Sequence, residues 1–231
     1  MKRFVLILFT STLFFIVQAQ HNNCSHKHKS FSLRSNIENM RSDTIDVLNY
    51  AIQLDVTDFT NQRISGYCTV TFVPKMNNVN SISLDLLKMT IDSVKIDNTI
   101  LTYSYNDTLL ISFFQTTLGT DDTTDITVYY QGNPQKDPSN WGGFYFQGNY
   151  AFNLGVGFAS NPHNFGRVWH PCFDNFVEHA TYETILITNN GKTSYANGYL
   201  LNEQTQGPNL IRTWKMETPI PTYLACLAVG N

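Results

Sequence analysis

Hydrophobic and polar positions alternate along this chain in short runs that recur from residue 50 onward. Tyr50, Ile52, Leu54 and Val56 alternate with Ala51, Gln53, Asp55 and Thr57. Successive strand side chains point to opposite faces, so a period of two predicts a half-buried strand. Residues 58–62 read as a turn. Beyond it Cys68, Val70 and Phe72 share one face, and Tyr67, Thr69 and Thr71 the other. Two such runs joined by a short turn predict an antiparallel hairpin. Further strands are predicted at 81–86, 91–96, 101–105, 108–113 and 125–130. Turn signals separate them, among them Asn77-Asn78, Asp97-Asn98, Asn106-Asp107 and Gly132-Asn133-Pro134. Residues 141–158 are rich in glycine and aromatics, and strands are predicted again at 182–188, 194–201, 210–216 and 223–229. No helical periodicity and no internal repeat interrupt the series. Many short strands at close spacing predict an all-β fold, a β-sandwich or a related two-sheet architecture.

The first residues follow a different pattern. Lys2 and Arg3 precede an almost unbroken apolar run from Phe4 to Val17, and Val17-Gln18-Ala19 ends in small residues. This is the layout of a secretory signal peptide over residues 1–19, with cleavage expected after Ala19. The run falls short of the roughly 20 apolar residues that a spanning helix needs. Export without a stable membrane span is therefore expected. Residues 20–45 are polar and aperiodic and read as a flexible lead-in. The folded domain is expected over 46–231.

Composition narrows the choice of partners. The chain has 231 residues, 42% of them hydrophobic and only 14% charged, with a net charge of -3. No basic stripe marks a nucleic-acid binder. Four cysteines, Cys24, Cys68, Cys172 and Cys226, are spaced too irregularly for a disulfide framework, and at least two are expected to be buried as small apolar side chains. No C-x-x-C pair supports a zinc ribbon.

The richest local chemistry lies between Trp169 and Asp174. Pro171 fixes its own φ and removes a backbone donor. Cys172 is small enough to bury, and Asp174 can accept local backbone N–H groups or pair with Arg167. The segment reads as a rigid corner capped by polar groups.

Three segments, in order, carry a resemblance. The first is Tyr50-Ala-Ile-Gln-Leu-Asp-Val with Ile64-Ser-Gly-Tyr-Cys-Thr-Val-Thr-Phe. The second is Arg167-Val-Trp-His-Pro-Cys-Phe-Asp, followed by Ala180-Thr-Tyr-Glu. The third is Pro221-Thr-Tyr-Leu-Ala-Cys-Leu-Ala-Val-Gly. Together they resemble the saddle-shaped N-terminal β domain of the aminopeptidase N-like zinc metallopeptidases. The resemblance makes Arg167, Trp169, Pro171, Cys172, Asp174 and Tyr223 structural motif residues.

It also implies that the chemistry lies elsewhere. In that family a following domain holds zinc with H-E-x-x-H and a further Glu, and G-x-M-E-N grips the substrate amine. Neither motif occurs in this sequence. No catalytic or metal-ligating residue and no cofactor is therefore expected in this chain. Zinc is expected in a missing catalytic domain, which together with a peptide substrate would be its partner. The chain is expected to be truncated or a fragment. The family's N-terminal domain contributes a Gln or Glu to amine recognition, where a gapless match places Ser160 and Pro162. Asn161, His163 or Asn164 can substitute, because an amide oxygen or a neutral imidazole accepts a hydrogen bond from an ammonium.

Two other readings compete. A metal enzyme built on His163, His170, His179 and Cys172 does not offer three ligands at convincing spacing; the P-C-x-x-C of zinc deaminases fails because residue 175 is Asn. A secreted binding module for peptide or carbohydrate would present Trp141, Phe144, Tyr145, Phe146, Tyr150 and Phe152 as an exposed row. Burial of alternate rings would point to scaffold instead.

Overall fold

A computed structural model describes residues 43–189 and 191–231. The expected signal peptide and nearly all of the expected lead-in lie outside the described residues. The chain is all-β, as the alternation predicts. Its first hairpin is β1 (Ile45–Asp58) and β2 (Arg63–Pro74). The turn between them closes on Asp58, whose carboxylate accepts the Asn61 backbone N–H at 3.0 Å. There follow β3 (Val79–Asp85), β4 (Thr90–Ile96), β5 (Thr99–Ile100), β6 (Thr102–Tyr105), β7 (Leu109–Leu118) and β8 (Thr124–Gly132). The glycine-rich aromatic segment forms a second hairpin, β9 (Gly142–Gln147) and β10 (Tyr150–Gly157). The chain ends with β11 (Ala180–Asn189), β12 (Thr193–Ala196), β13 (Tyr199–Gln206), β14 (Asn209–Ile220) and β15 (Leu227–Gly230).

Among the described residues the strands sort into three hydrogen-bonded sheets, one more than the two-sheet expectation. The largest runs β13-β14-β11-β1-β2-β8-β4-β5, the second β12-β15-β10-β9, and the third β3-β7-β6. Two boundaries differ from the sequence reading. The run at 194–201 breaks into β12 and β13 at Gly198, whose φ of 89° is cheap only for glycine. Tyr223 sits in a short 3-10 turn, Thr222–Leu224, instead of a strand. Pro221 precedes that turn and donates no ladder hydrogen bond.

One pairing decides where the loops go. β1 pairs with β11 in parallel, from Asn49 opposite Thr181 to Asp55 opposite Ile187. Parallel neighbours need a long crossover, and here everything from β2 to residue 179 lies within it. The corner just before β11 is thereby carried to the end of the large sheet where β1 begins.

The inward faces match the alternation. Tyr50, Ile52, Leu54 and Val56 are buried with Cys68, Val70 and Phe72 from β2 and with Ile126, Val128 and Tyr130 from β8. They join Ile82, Leu84 and Leu110 of the third sheet and Phe165, Val168, Trp169 and Phe173 of the corner in one cluster. Each large apolar side chain so buried contributes about 1.5–3 kcal/mol. Cys68 and Cys172 are buried free thiols, and Cys226 is an exposed one. Among the described residues no helix is long and apolar enough to cross a membrane.

Candidate functional site

The corner is stapled to its surroundings by backbone bonds. Cys172 and Asp85, at the end of β3, exchange N–H···O bonds of 2.7 and 3.0 Å, and the Leu87 N–H donates to the Arg167 carbonyl at 2.8 Å. The loop before the corner is tied to β10 through Gly157 N–H to His163 O at 2.9 Å and Phe165 N–H to Gly155 O at 2.7 Å. Gly155 also packs directly on the closing segment, where a Cβ would lie 2.1 Å from the Tyr223 carbonyl oxygen. A side chain there would push out the Thr222–Leu224 turn. Tyr223 itself meets Phe176 edge to face, with ring centroids 5.3 Å apart.

Asp174 is the polar hub of the corner. Its side chain is fully buried and pairs with Arg167 Nη1 at 2.9 Å. It also accepts the Gly166 N–H at 3.2 Å, the Arg167 N–H at 3.3 Å and the Thr222 hydroxyl at 2.8 Å. A buried carboxylate persists when paired and fully hydrogen-bonded, and this one ties the corner to the closing segment. The Asn164 side-chain amide donates to the Asp174 carbonyl.

His170 lies wholly inside the protein, between Tyr50, Trp169 and Tyr182. Its Nδ1 is 3.1 Å from the Pro171 carbonyl. A carbonyl can only accept, so Nδ1 carries the proton. Nε2 is then an acceptor, with no hydrogen-bond partner among the described residues. Burial lowers the imidazole pKa to about 4, only partly opposed by the bond to Pro171.

The polar density of 161–174 therefore divides in two. Asn164, His170 and Asp174 are buried and knit the corner internally, so Asn164, which the resemblance offered for amine recognition, faces inward instead. Asn161 and His163 remain exposed. His163 Nδ1 lies 3.0 Å from the Gly157 carbonyl, and His179, also exposed, is 2.7 Å from the Val177 carbonyl. Among the described residues no three His, Cys, Asp or Glu side chains gather to hold a metal ion.

Asn161 lines an open cleft of about 600 Å³, whose wall also includes Asp85, Lys88, Gln135, Lys136, Ser160 and Arg167. One residue that shapes it escaped sequence reasoning. Asp137 is buried beneath the loop. Its carboxylate accepts the backbone N–H groups of Ser139 at 2.9 Å, Ala159 at 3.0 Å and Ser160 at 3.0 Å. It also accepts both serine hydroxyls, that of Ser160 at 2.7 Å and that of Ser139 at 2.5 Å. Burial opposes the charge, but these five donors outweigh it and hold the carboxyl well below the usual aspartate range. The signal was Asp137-Pro-Ser139, a sequence that favours an Asx turn.

The aromatic residues of the second hairpin mostly face one another. Phe144 is buried, Tyr145 stacks on Phe152 at 5.1 Å, and the exposed Trp141 stacks on Phe158 at 4.4 Å. They form pairs, not a continuous exposed row.

With fold and cleft in hand, the chain can be placed. The profile of the peptidase M1 N-terminal domain matches residues 47–224. The chain belongs to that family. No curated protein sequence matches it. Among solved structures it resembles a mutant M1 zinc metallopeptidase from Deinococcus radiodurans bound to a Tyr-Ser-Ala substrate, at 22% identity and a TM-score of 0.72. That likeness covers 81% of this chain and 42% of the other. Legionella pneumophila aminopeptidase A in complex with aspartic acid is similar at 21% identity and a TM-score of 0.66, over 81% of this chain and 21% of the other. Native yeast LTA4 hydrolase follows at 17% identity and a TM-score of 0.64, over 82% and 29%. These likenesses concern the fold. The M1 N-terminal domain described here spans less than half the length of each of these structures.

Proposed function

We propose that this M1 N-terminal domain is the scaffold and substrate-cleft wall of an exported zinc aminopeptidase, working beside a catalytic domain. The observation that carries the reading is the family match over 47–224, joined to an open cleft at the loop where the resemblance puts amine recognition. When bound in the catalytic domain, zinc would supply the activated water that hydrolyses the peptide bond. This chain's own residues hold and orient. The Oδ1 of Asn161, on the cleft wall, accepts a hydrogen bond from the peptide's N-terminal ammonium; His163 is exposed but outside the cleft lining, and its bond to the Gly157 carbonyl steadies the loop. Asn164 contributes from beneath, fixing the loop to Asp174. The rigid Arg167–Asp174 corner and the Asp137 anchor keep the loop in place when the catalytic domain docks.

The test is to raise antibodies against residues 46–231, isolate the native protein from its source, map its peptides and assay it on aminoacyl-anilides. The reading expects H-E-x-x-H peptides in the same complex and hydrolysis that a chelator abolishes. A native protein without such a sequence and without chelator-sensitive hydrolysis would refute it.

A further inference from the structure

The charges on the cleft wall are unequal in their engagement. Asp85, Lys88, Lys136 and Arg167 all line it. Arg167 is already paired with Asp174, and the Asp85 carboxylate accepts the Asp174 N–H at 3.0 Å. Asp137, just behind Lys136, turns its carboxylate inward to five donors. That leaves Lys88 and Lys136, both exposed. Among the described residues neither ammonium forms an ion pair. The Lys136 ammonium stands 5.1 Å from the centre of the Tyr145 ring. Lys88 is held at a φ of 51°, a left-handed backbone that glycine or asparagine adopts at lower cost.

We infer that Lys88 and Lys136 form a carboxylate-binding subsite in this cleft, so that the peptides it favours carry an acidic side chain. The inference rests on the reading of the cleft as a peptide site and adds the class of peptide. The carboxylates of Asp85 and Asp137 are engaged by protein donors, whereas Lys88 and Lys136 belong to the cleft wall and carry their charges without an ion pair among the described residues. A carboxylate needs donors, and a charge-assisted hydrogen bond to an ammonium is stronger than a neutral one. The cleft is open, so the contribution is screened by salt.

The test uses the full chain and isothermal titration with three blocked or unblocked tripeptides. These are Ala-Glu-Ala-amide, Ala-Gln-Ala-amide, and Ala-Gln-Ala with a free carboxyl terminus. The Glu peptide should bind about fivefold or more tighter than the Gln amide, consistent with a partly exposed ion pair. Lys88→Gln with Lys136→Gln should erase that preference while leaving the urea midpoint unchanged, since both side chains are exposed. Raising sodium chloride from about 0.05 M to about 0.5 M should shrink the preference in the same way. Equal affinities for the Glu and Gln amides, a preference that survives in the double variant, or no measurable binding of any peptide would overturn the subsite. A preference shown only by the free-carboxyl peptide would overturn the acidic side chain as the source and assign the site to a chain end. These outcomes are read on the chain alone. They are independent of whether the native protein proves to contain a zinc domain, which tests the parent reading.

Discussion

Replacing His170 by Phe should remove a specific pH dependence from the stability of the fold. The imidazole is fully buried among aromatic rings, and its folded pKa is lowered to about 4 from an ordinary value of 6.5. Between those values the unfolded chain binds a proton that the folded chain refuses. Stability from the neutral imidazole is therefore fully present above about pH 6.5 and is lost as pH falls toward about 4. A tenfold change in proton affinity corresponds to about 1.4 kcal/mol, so the loss across this window approaches about 3 kcal/mol. A phenyl ring keeps the aromatic packing and cannot take up the proton. It forfeits the bond to the Pro171 carbonyl, a constant cost of about 1 kcal/mol at every pH. Urea unfolding of both proteins at several pH values from about 7.5 to about 4.5 isolates the effect, because every other titrating group is common to both. The difference in unfolding free energy should move in favour of the variant by about 2–3 kcal/mol over that range. A difference constant to within about 0.5 kcal/mol would refute the buried neutral imidazole.

Two further substitutions probe the anchors of the cleft. Asp174→Asn should destabilise the chain by about 3 kcal/mol in urea, because it strands Arg167 and aims an amide N–H at donors; a loss below about 1 kcal/mol would show that the corner does not depend on the pair. Asp137→Asn should flatten the acid limb of the stability curve. With its folded pKa depressed, Asp137 contributes fully above the ordinary value of 3.8 and loses that contribution as pH falls below it. The gap between the two proteins in acid unfolding should therefore close as pH falls below about 4, and a gap that does not change would contradict the anchor.

How much of this could be read in advance follows from what a pattern encodes. The alternation at Tyr50, Ile52, Leu54 and Val56 reports one buried face, and a buried face is what those residues form. Period two says nothing of which strand lies alongside. The parallel register between Tyr50 and Tyr182 is set by tertiary packing across the whole crossover. Tyr223 shows a second limit, since an apolar run after Pro221 suits a half-exposed 3-10 turn as well as a strand. The Arg167–Asp174 pair was legible as an option because both groups lie in one rigid segment. That Asn164 and His170 face inward was not, because a polar residue that satisfies buried backbone looks the same in sequence as one that faces a ligand. Asp137 lay outside any motif, and its role appears only when the chain brings Ala159 and Ser160 back over it.

The central claim is that the loop at 159–167 walls a cleft shared with a catalytic domain. Hydrogen–deuterium exchange across that segment, in the isolated chain and in the native protein with its catalytic domain, tests it most directly. Docking should slow exchange of the Asn161–Asn164 amides by about tenfold or more, since closure removes the local openings through which they exchange. It should leave the amides of β1 and β2, at the centre of the large sheet, unchanged. Identical exchange of the loop in the two forms would contradict the account.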